Sequence, residues 1–296
     1  NTNSISDFAK YSNLENRMVY KIINPSHYKV NGETLSLLLG FFTSFLIFLT
    51  FCVLVYLNSE ENRFYLINSF LAIIPFTVLS IIYIKFQQRQ LLGQSVKVSE
   101  NQMTDIFEIV KTASNRLTMT MPDVFIKQDP AINAFALGFF GKKSIIINTA
   151  TIETMTTEEL YFIIGHELSH IKCRHTMWLV LTNSSTTRYF YIPLLFDIMR
   201  LIFLTWSRKA EYTCDRGGLI ASQNIEAAIT ALAKLAVGKQ LFEKLNIKKL
   251  FEQKINIDNE LMTGISEMIS THPFLINRIH EVYNFYENGY RKIKGK

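Results

Sequence analysis

A run of 26 residues without a charged side chain, 34–59 (TLSLLLGFFTSFLIFLTFCVLVYLNS), limits most strongly what this chain can fold into. As an α-helix it would be about 39 Å long, more than the roughly 30 Å hydrocarbon core of a bilayer. A second uncharged run of 21 residues, 64–84, follows after a short polar turn. Two uncharged helices of this length are hard to bury in one small soluble domain, so the sequence predicts a transmembrane helical hairpin over residues 34–84.

Basic residues near the hairpin predict its orientation. The turn holds only Arg63, whereas the flanks carry six basic residues: Arg17, Lys21, Lys29, Lys85, Arg89 and Lys97. Cytoplasmic flanks of membrane spans are enriched in Lys and Arg. The sequence therefore predicts an integral protein of the cell membrane with both ends of the chain in the cytoplasm.

The charge and the cysteines narrow the set of expected partners. The formal net charge is +6, yet the basic residues are scattered along the chain rather than grouped with aromatic residues. This pattern favours attraction to an anionic membrane surface over binding of nucleic acid. Cys52, Cys173 and Cys214 form no Cys-x-x-Cys pair, and an odd, sparse count fits a reducing compartment. The lipid bilayer is thus an expected partner and nucleic acid is not, while the oligomeric state stays open.

The rest of the chain predicts an α+β, mainly α-helical fold with a small β-sheet. Apolar residues at three- and four-residue spacing predict an amphipathic helix over 103–117. Short β-branched or aromatic segments between turn residues predict three strands, the last two joined by a hairpin at 138–143: 122–128, 133–138 and 143–148. Beyond about residue 208 the pattern is helical. We therefore expect a polar segment 1–33, the hairpin 34–84 and a folded domain 85–296.

A His-Glu-x-x-His motif lies in the segment GHELSHIKCRH. Thr156 and Glu159 have the spacing of a capping box, so the motif is expected on a helix that starts at this point. His166 and His170 lie four residues apart on one helix face, where both imidazoles can reach one zinc ion at about 2.0 to 2.1 Å. Glu167 lies beside them as a general base that takes a proton from a zinc-bound water and passes it to a leaving amine.

A catalytic zinc site needs a third protein ligand. His175 follows His170 by five residues, about 500° round a continuous helix, so it is expected to be a surface or supporting histidine away from the metal. Glu211 is the better candidate, because Asp215 follows it by one turn on the same face and can accept a hydrogen bond from a ligand histidine. Spacing alone does not distinguish this arrangement from two solvated carboxylates that pair with neighbouring basic residues.

Four motifs together resemble the HtpX and CAAX prenyl protease type of integral membrane zinc metallopeptidase, a gluzincin family. They follow the order of that family and cover the domain 85–296: INAFALG, GHELSHI, SRKAEYTCDRGGL and STHPFLINRI. The resemblance implies a zincin-like metalloprotease domain that binds one Zn²⁺ per chain through His166, His170 and Glu211. It further implies that Glu167 is the general base and that Asp215 supports a ligand histidine.

The same resemblance implies how substrate is held. His272 would reach the oxyanion of the tetrahedral intermediate, and Asn133 would line the cleft. The backbone of Ala134, Phe135 and Ala136 would pair with an extended peptide, because an exposed strand edge binds a peptide main chain with little demand on its sequence.

One departure from the family concerns the segment 188–206. HtpX-like members place two further membrane spans between the zinc helix and the glutamate helix, whereas only forty residues separate His170 from Glu211 here. The segment is apolar, but Asp197 and Arg200 interrupt it, and each would cost about 2.5 to 3.5 kcal/mol at the bilayer centre. The sequence favours a helix that packs on the domain or lies in the membrane interface over a third span.

Together these features predict a membrane-anchored zinc endopeptidase that acts on peptides or membrane proteins in membrane protein quality control. The alternatives are a processing protease for one lipidated or single peptide substrate, and a non-catalytic zinc-binding membrane scaffold. Glu167 argues against the scaffold, since a structural zinc site has no need of a base. Arg278 is expected to form a structural ion pair.

Overall fold

The computed structural model describes residues 23–58, 60–138, 141–182, 193–247, 249–250 and 273–290. Helix α1 (Glu33–Asn58) and helix α2 (Glu60–Gly93) come first and contact each other. Within these ranges, one helix segment is long and apolar enough to cross a membrane, Glu33–Leu57 in α1. The transmembrane hairpin is therefore not confirmed as a pair of spans, and the second span stays a prediction. The division of the chain at 33/34 and 84/85 also stays a prediction.

Most of helix α1 is exposed. Only 6% of its apolar span is buried against the rest of the protein. Phe42, Phe45 and Phe51 are each 59% exposed, although phenylalanine is among the residues most often buried. A continuous apolar surface of this length is typical of a site that contacts lipid or another protein.

The first turns of α1 pack on helix α7 (Pro193–Ser222) through aromatic side chains. The ring of Phe41 lies edge-on to Trp178 and to Phe203, with centroid separations of 5.0 and 5.1 Å. Phe203 and Trp206 are buried in this cluster. Residues 193–206 thus belong to one long helix that packs on α1. This agrees with the predicted packed helix in the segment 188–206, of which residues 188–192 lie outside the described part of the chain.

The β-sheet has four strands in the order β1-β2-β4-β3. Its strands, with helix α3 (Thr104–Arg116) between the first two, are β1 (Val96–Lys97), β2 (Asp123–Lys127), β3 (Ala134–Leu137) and β4 (Ser144–Asn148). Strand β4 pairs in parallel with β2 and antiparallel with β3, which leaves β3 at one edge of the sheet. The three predicted strands and the predicted helix are confirmed to within a few residues, whereas the two-residue strand β1 is too short for its sequence to show a period.

Helix α5 (Thr157–Lys172) lies at the centre of the domain. It packs against α7, α3, β3 and helix α8 (Ile225–Phe242). The other α-helices in the described ranges are α4 (Thr149–Thr154), α6 (His175–Thr182) and α9 (Leu275–Phe285). The capping box at its start is confirmed: the Glu159 N–H donates to Thr156 Oγ1 at 3.3 Å, and the Thr156 N–H donates to Glu159 Oε2 at 2.8 Å. The sequence therefore fixes where this helix begins.

Glycines let α5 and α7 approach each other closely. A Cβ atom on Gly218 of α7 would lie 2.7 Å from the Phe162 carbonyl oxygen of α5. A Cβ atom on Gly165 would overlap Ala221, and one on Gly217 would overlap the Ser169 side chain. Any of these side chains would push the two helices apart, because the backbone of a helix cannot yield locally as a flexible side chain can.

We expect Gly218→Ala to destabilise the protein by about 1 to 3 kcal/mol, the usual result of overpacking a tight core. The new methyl group would press on the Phe162 carbonyl, which is fixed in the α5 backbone. Gly93→Ala is the matched control, because nothing lies within 4 Å of the Cβ position at that helical glycine. Thermal unfolding of the purified full-length protein in detergent measures both; equal melting temperatures would contradict the tight packing.

Candidate metal centre

Two histidines of α5 and one glutamate of α7 bring their side-chain donors together. The Nε2 atoms of His166 and His170 are 3.2 Å apart. Glu211 places Oε2 at 3.5 Å from His166 Nε2 and Oε1 at 3.6 Å from His170 Nε2. All three residues are buried. The predicted ligand set is thus assembled in one cluster, as a helical i, i+4 pair facing a third donor across the α5–α7 contact.

The spacing of these donors can be compared with that of a zinc site. Ligand atoms about 2.0 to 2.1 Å from a tetrahedral zinc ion lie about 3.4 Å from one another. The separations of 3.2, 3.5 and 3.6 Å agree with that value. Two imidazoles and one carboxylate also match the donor types of catalytic zinc sites. The residues present therefore fit a single metal ion.

The electrostatics of the cluster favour a cation between the donors. Burial by itself lowers the pKa of His166, but hydrogen bonds to and charges on Asp215 and Glu211 outweigh it and raise this pKa to about 10. Burial lowers the pKa of His170 well below its usual value, which keeps this ring neutral. A neutral imidazole presents a lone pair, the form in which histidine binds a metal.

Asp215 supports the cluster from behind. Its Oδ1 lies 2.9 Å from His166 Nδ1, so the carboxylate accepts the hydrogen of that nitrogen and leaves Nε2 as the atom on which a metal ion can replace a proton. Arg278 of α9 donates to both carboxylate oxygens, at 2.6 and 2.8 Å. Burial acts to raise the pKa of Asp215, but the Arg278 charge and hydrogen bonds overcome it and the pKa lies below its usual value. The expected structural ion pair of Arg278 is present.

Glu167 is buried beside the cluster without being one of its three donors. Burial raises its pKa to about 7, with the Glu211 charge adding to the effect and the His166 charge opposing it. The backbone N–H of Ala136 in strand β3 donates a hydrogen bond to its carboxylate. A carboxylate with a pKa near neutrality can both accept and release a proton under physiological conditions.

Strand β3 presents part of its backbone to this site. The Asn148 N–H donates to the Asn133 carbonyl at 3.0 Å, and Ala134 pairs with Ile147 in the antiparallel ladder. Backbone groups in such a ladder alternate between the partner strand and the open side, so those of Ala134 and Ala136 face the open edge. Asn133 stands just before the strand and is exposed, and Phe135 is partly buried within it.

His175 differs from its prediction in one respect. Helix α5 ends at Lys172, Arg174 takes a left-handed φ of 62°, and α6 begins at His175. The angle of 500° assumed one continuous helix, so it does not describe this residue. His175 is 1% exposed rather than on the surface, and its ring contacts that of His170. This buried position beside His170 agrees with a supporting histidine and not with a surface histidine.

A second donor group, His170, His175 and Cys214, also lies within 4.8 Å. In this group His175 already has a partner for each nitrogen: Nε2 lies 3.0 Å from Glu33 Oε1, and Nδ1 lies 3.4 Å from Cys214 Sγ. Sequence reasoning missed Glu33, which nothing in its local pattern sets apart from an ordinary first-turn acid. His272 lies outside the described residues, and its role stays a prediction.

The chain is similar in sequence to known metallopeptidases. The model of Peptidase family M48 matches residues 100–285, more than half of the chain and within the predicted domain 85–296. The chain is 32% identical over 204 residues to the plastoglobule-localized metallopeptidase 48 of Arabidopsis thaliana, covering 64% of this chain and 59% of that protein. It is 25% identical over 287 residues to a protease HtpX homolog of Streptococcus pyogenes, covering 82% and 96% respectively.

Among solved structures, the crystal structure of S. mikatae Ste24p is similar, with a TM-score of 0.43 and 14% identity. The similarity covers 81% of this chain and 66% of that chain. The family match spans the motif helix α5, the glutamate helix α7 and Arg278. The chain therefore belongs to Peptidase family M48, a metalloprotease family.

Proposed function

We propose that this protein is a zinc-dependent endopeptidase that uses Glu167 as its general base. The observation that carries the proposal is the buried Glu167, which stands beside the cluster of His166, His170 and Glu211 but is not part of it. A structural metal site is closed by its ligands and has no use for a neighbouring carboxylate with a pKa of about 7. A hydrolytic site needs one.

Each residue has a separate task in this proposal. Zinc, when bound, supplies a Lewis acid that polarises the scissile carbonyl and activates a water molecule. Glu167 accepts the proton of the attacking water and returns it to the leaving amine, while the Ala136 N–H keeps its carboxylate in place. Asp215 fixes the His166 ring, and Arg278 keeps Asp215 ionised. His272 is proposed to bind the oxyanion.

Strand β3 is proposed to bind the substrate backbone. Its open edge lies next to α5, and it offers the backbone groups of Ala134 and the carbonyl of Ala136, whose N–H is bound to Glu167. A peptide that adds to this edge as a further strand would lie extended along the cleft, with Asn133 at one end. Since the contacts are to the main chain, such binding selects for unfolded or extended segments rather than for one sequence.

Helix α1 is the basis for placing this activity at a membrane. Its exposed apolar surface starts at Leu35, two residues after Glu33, which is packed into the catalytic domain. The metal site would therefore be held close to the membrane surface at which α1 enters the bilayer. We propose that the substrates are misfolded or short-lived membrane proteins presented at the bilayer, which is a role in quality control, with the catalytic domain on the cytoplasmic side.

We expect Glu167→Gln to lower kcat/KM for an unfolded test protein by about 10² to 10⁴-fold while it keeps about one zinc ion per chain, because the amide cannot take a proton. Glu211→Gln is the matched control: the same chemical change at a proposed ligand should remove both the zinc and the proteolysis. Metal analysis and cleavage assays of the full-length protein measure these effects. Wild-type cleavage by Glu167→Gln would contradict the general-base role, whereas a zinc-bound wild type that cleaves nothing would favour a non-catalytic zinc scaffold.

Backbone pairing with β3 predicts an alternating response to N-methylation of a peptide substrate. In an extended strand every second N–H points to the neighbouring strand. Methylation of those amides should raise KM by about 3 to 10-fold, the value of one hydrogen bond, whereas methylation of the amides between them should have little effect. A series of peptides methylated at consecutive positions supplies its own controls, and equal effects at all positions would argue against edge pairing.

The membrane role predicts that substrate presentation matters. We expect an unfolded segment to be cut at least 10-fold faster when a membrane anchor holds it in the same lipid vesicles as the enzyme, since both are then confined to one surface. The identical segment without its anchor is the control, tested with the same vesicles at the same total concentration. Equal rates for the two forms would remove the support for membrane-protein substrates.

A further inference from the structure

The two proposed histidine ligands are supported in different ways. His166 has Asp215 at 2.9 Å from its Nδ1. The Nδ1 atom of His170 is buried and has no hydrogen-bond partner among the described residues. A ligating imidazole is normally fixed by a hydrogen bond on its second nitrogen, which sets the rotation of the ring. The orientation of His170 must therefore come from packing.

The ring of His175 forms that packing surface. Its centroid lies 5.4 Å from that of His170, with an angle of 75° between the ring planes. On its other side, His175 packs on Trp206 at 5.9 Å. A buried edge-to-face contact is directional, so a rotation of the His175 ring would change the position that His170 adopts.

Hydrogen bonds on both nitrogens hold His175 in one orientation. A carboxylate only accepts, so the contact of 3.0 Å between Glu33 Oε1 and His175 Nε2 requires the hydrogen on Nε2. On the other side of the ring, Nδ1 lies 3.4 Å from the Cys214 sulfur. Together these two contacts restrict the ring to one rotation.

Glu33 is itself fixed from several directions. It is 1% exposed, and besides His175 it receives hydrogen bonds from the Thr213 hydroxyl and from Lys29 Nζ, the latter at 3.0 Å. Thr213 lies on α7 two residues after Glu211, and its hydroxyl also accepts from the Val30 N–H at 3.0 Å. These contacts connect the start of α1 to α7, the helix that carries Glu211.

We propose that Glu33 is a positioning residue for the metal site: by holding His175, it sets the orientation of His170 and links the seating of α1 to metal binding. The inference rests on the proposed function only in that His170 is taken as a ligand. It gives the first residue of the apolar helix a task in the site, which is separate from any anchoring in lipid. The contact between Glu33 and His175 thus restrains the His170 ring indirectly, through the packing of His175 on a ring whose own Nδ1 has no hydrogen-bond partner among the described residues.

The test compares zinc affinity of full-length variants in detergent by competition with a chelator. We expect Glu33→Ala to weaken zinc binding by about 10-fold, the lower end of the range for residues that support metal ligands. Glu33→Gln should retain most of the affinity, because its amide oxygen still accepts from His175 Nε2. The visible spectrum of the Co²⁺ form should shift in Glu33→Ala and return in Glu33→Gln, since it reports ligand geometry.

Lys209→Ala is the matched control for loosening of α1. Lys209 donates to the Gly32 carbonyl at 3.3 Å and to Ser36 Oγ at 2.9 Å, so it holds the same helix start without a hydrogen bond to His175. This variant should bind zinc as the wild type does. If it weakens binding as much as Glu33→Ala, or if Glu33→Ala binds normally, the positioning role is wrong.

Two further outcomes are separable. If Glu33→Ala does not melt cooperatively, Glu33→Asp is tested in its place, because the shorter carboxylate lies farther from His175 while the charge is kept. Glu33→Asp should bind zinc at least 3-fold more weakly than the wild type. Wild-type zinc affinity in Glu33→Asp would overturn the proposal. Failure of the wild-type protein to bind zinc would instead contradict the proposed function and with it the basis of this inference.

Discussion

The close crossing of α5 and α7 is the contact on which the site depends. Gly165, Gly217 and Gly218 stand where the two helices meet, and a Cβ atom at any of them would collide with the opposite helix. Because the backbones are this close, a carboxylate on α7 comes within 3.6 Å of both imidazoles on α5.

Three buried carboxylates share this small volume, and their surroundings give them different properties. Arg278 binds Asp215 through two hydrogen bonds and keeps it ionised. Glu211 faces the two imidazoles, while Glu167 is held by a backbone N–H of strand β3 and has its pKa raised to about 7 by burial. The environments of Asp215 and Glu167 thus separate their pKa values, which suits the separate roles proposed for them as supporting carboxylate and general base.

Local sequence patterns predicted the parts whose cause is local. The capping box of Thr156 and Glu159 starts α5, and the spacing of His166 and His170 puts both rings on one face. The β-branched segments form the strands. Contacts between residues far apart in the sequence could not be predicted from such local patterns. Spacing left the pairing of Glu211 open, because a helix face can point to solvent or to a core, and only resemblance to a family favoured the second.

The sequence by itself determined that this chain has an apolar helix that begins near residue 34, a motif helix with a defined start, and a small sheet before it. It also determined the chemical types of the candidate ligands. Only the tertiary structure decided that Arg278 pairs with Asp215, that His175 turns inward after a left-handed residue, and that Glu33 is buried against it. These contacts join residues up to 142 positions apart, as with Glu33 and His175, and no local period encodes a contact between separate elements.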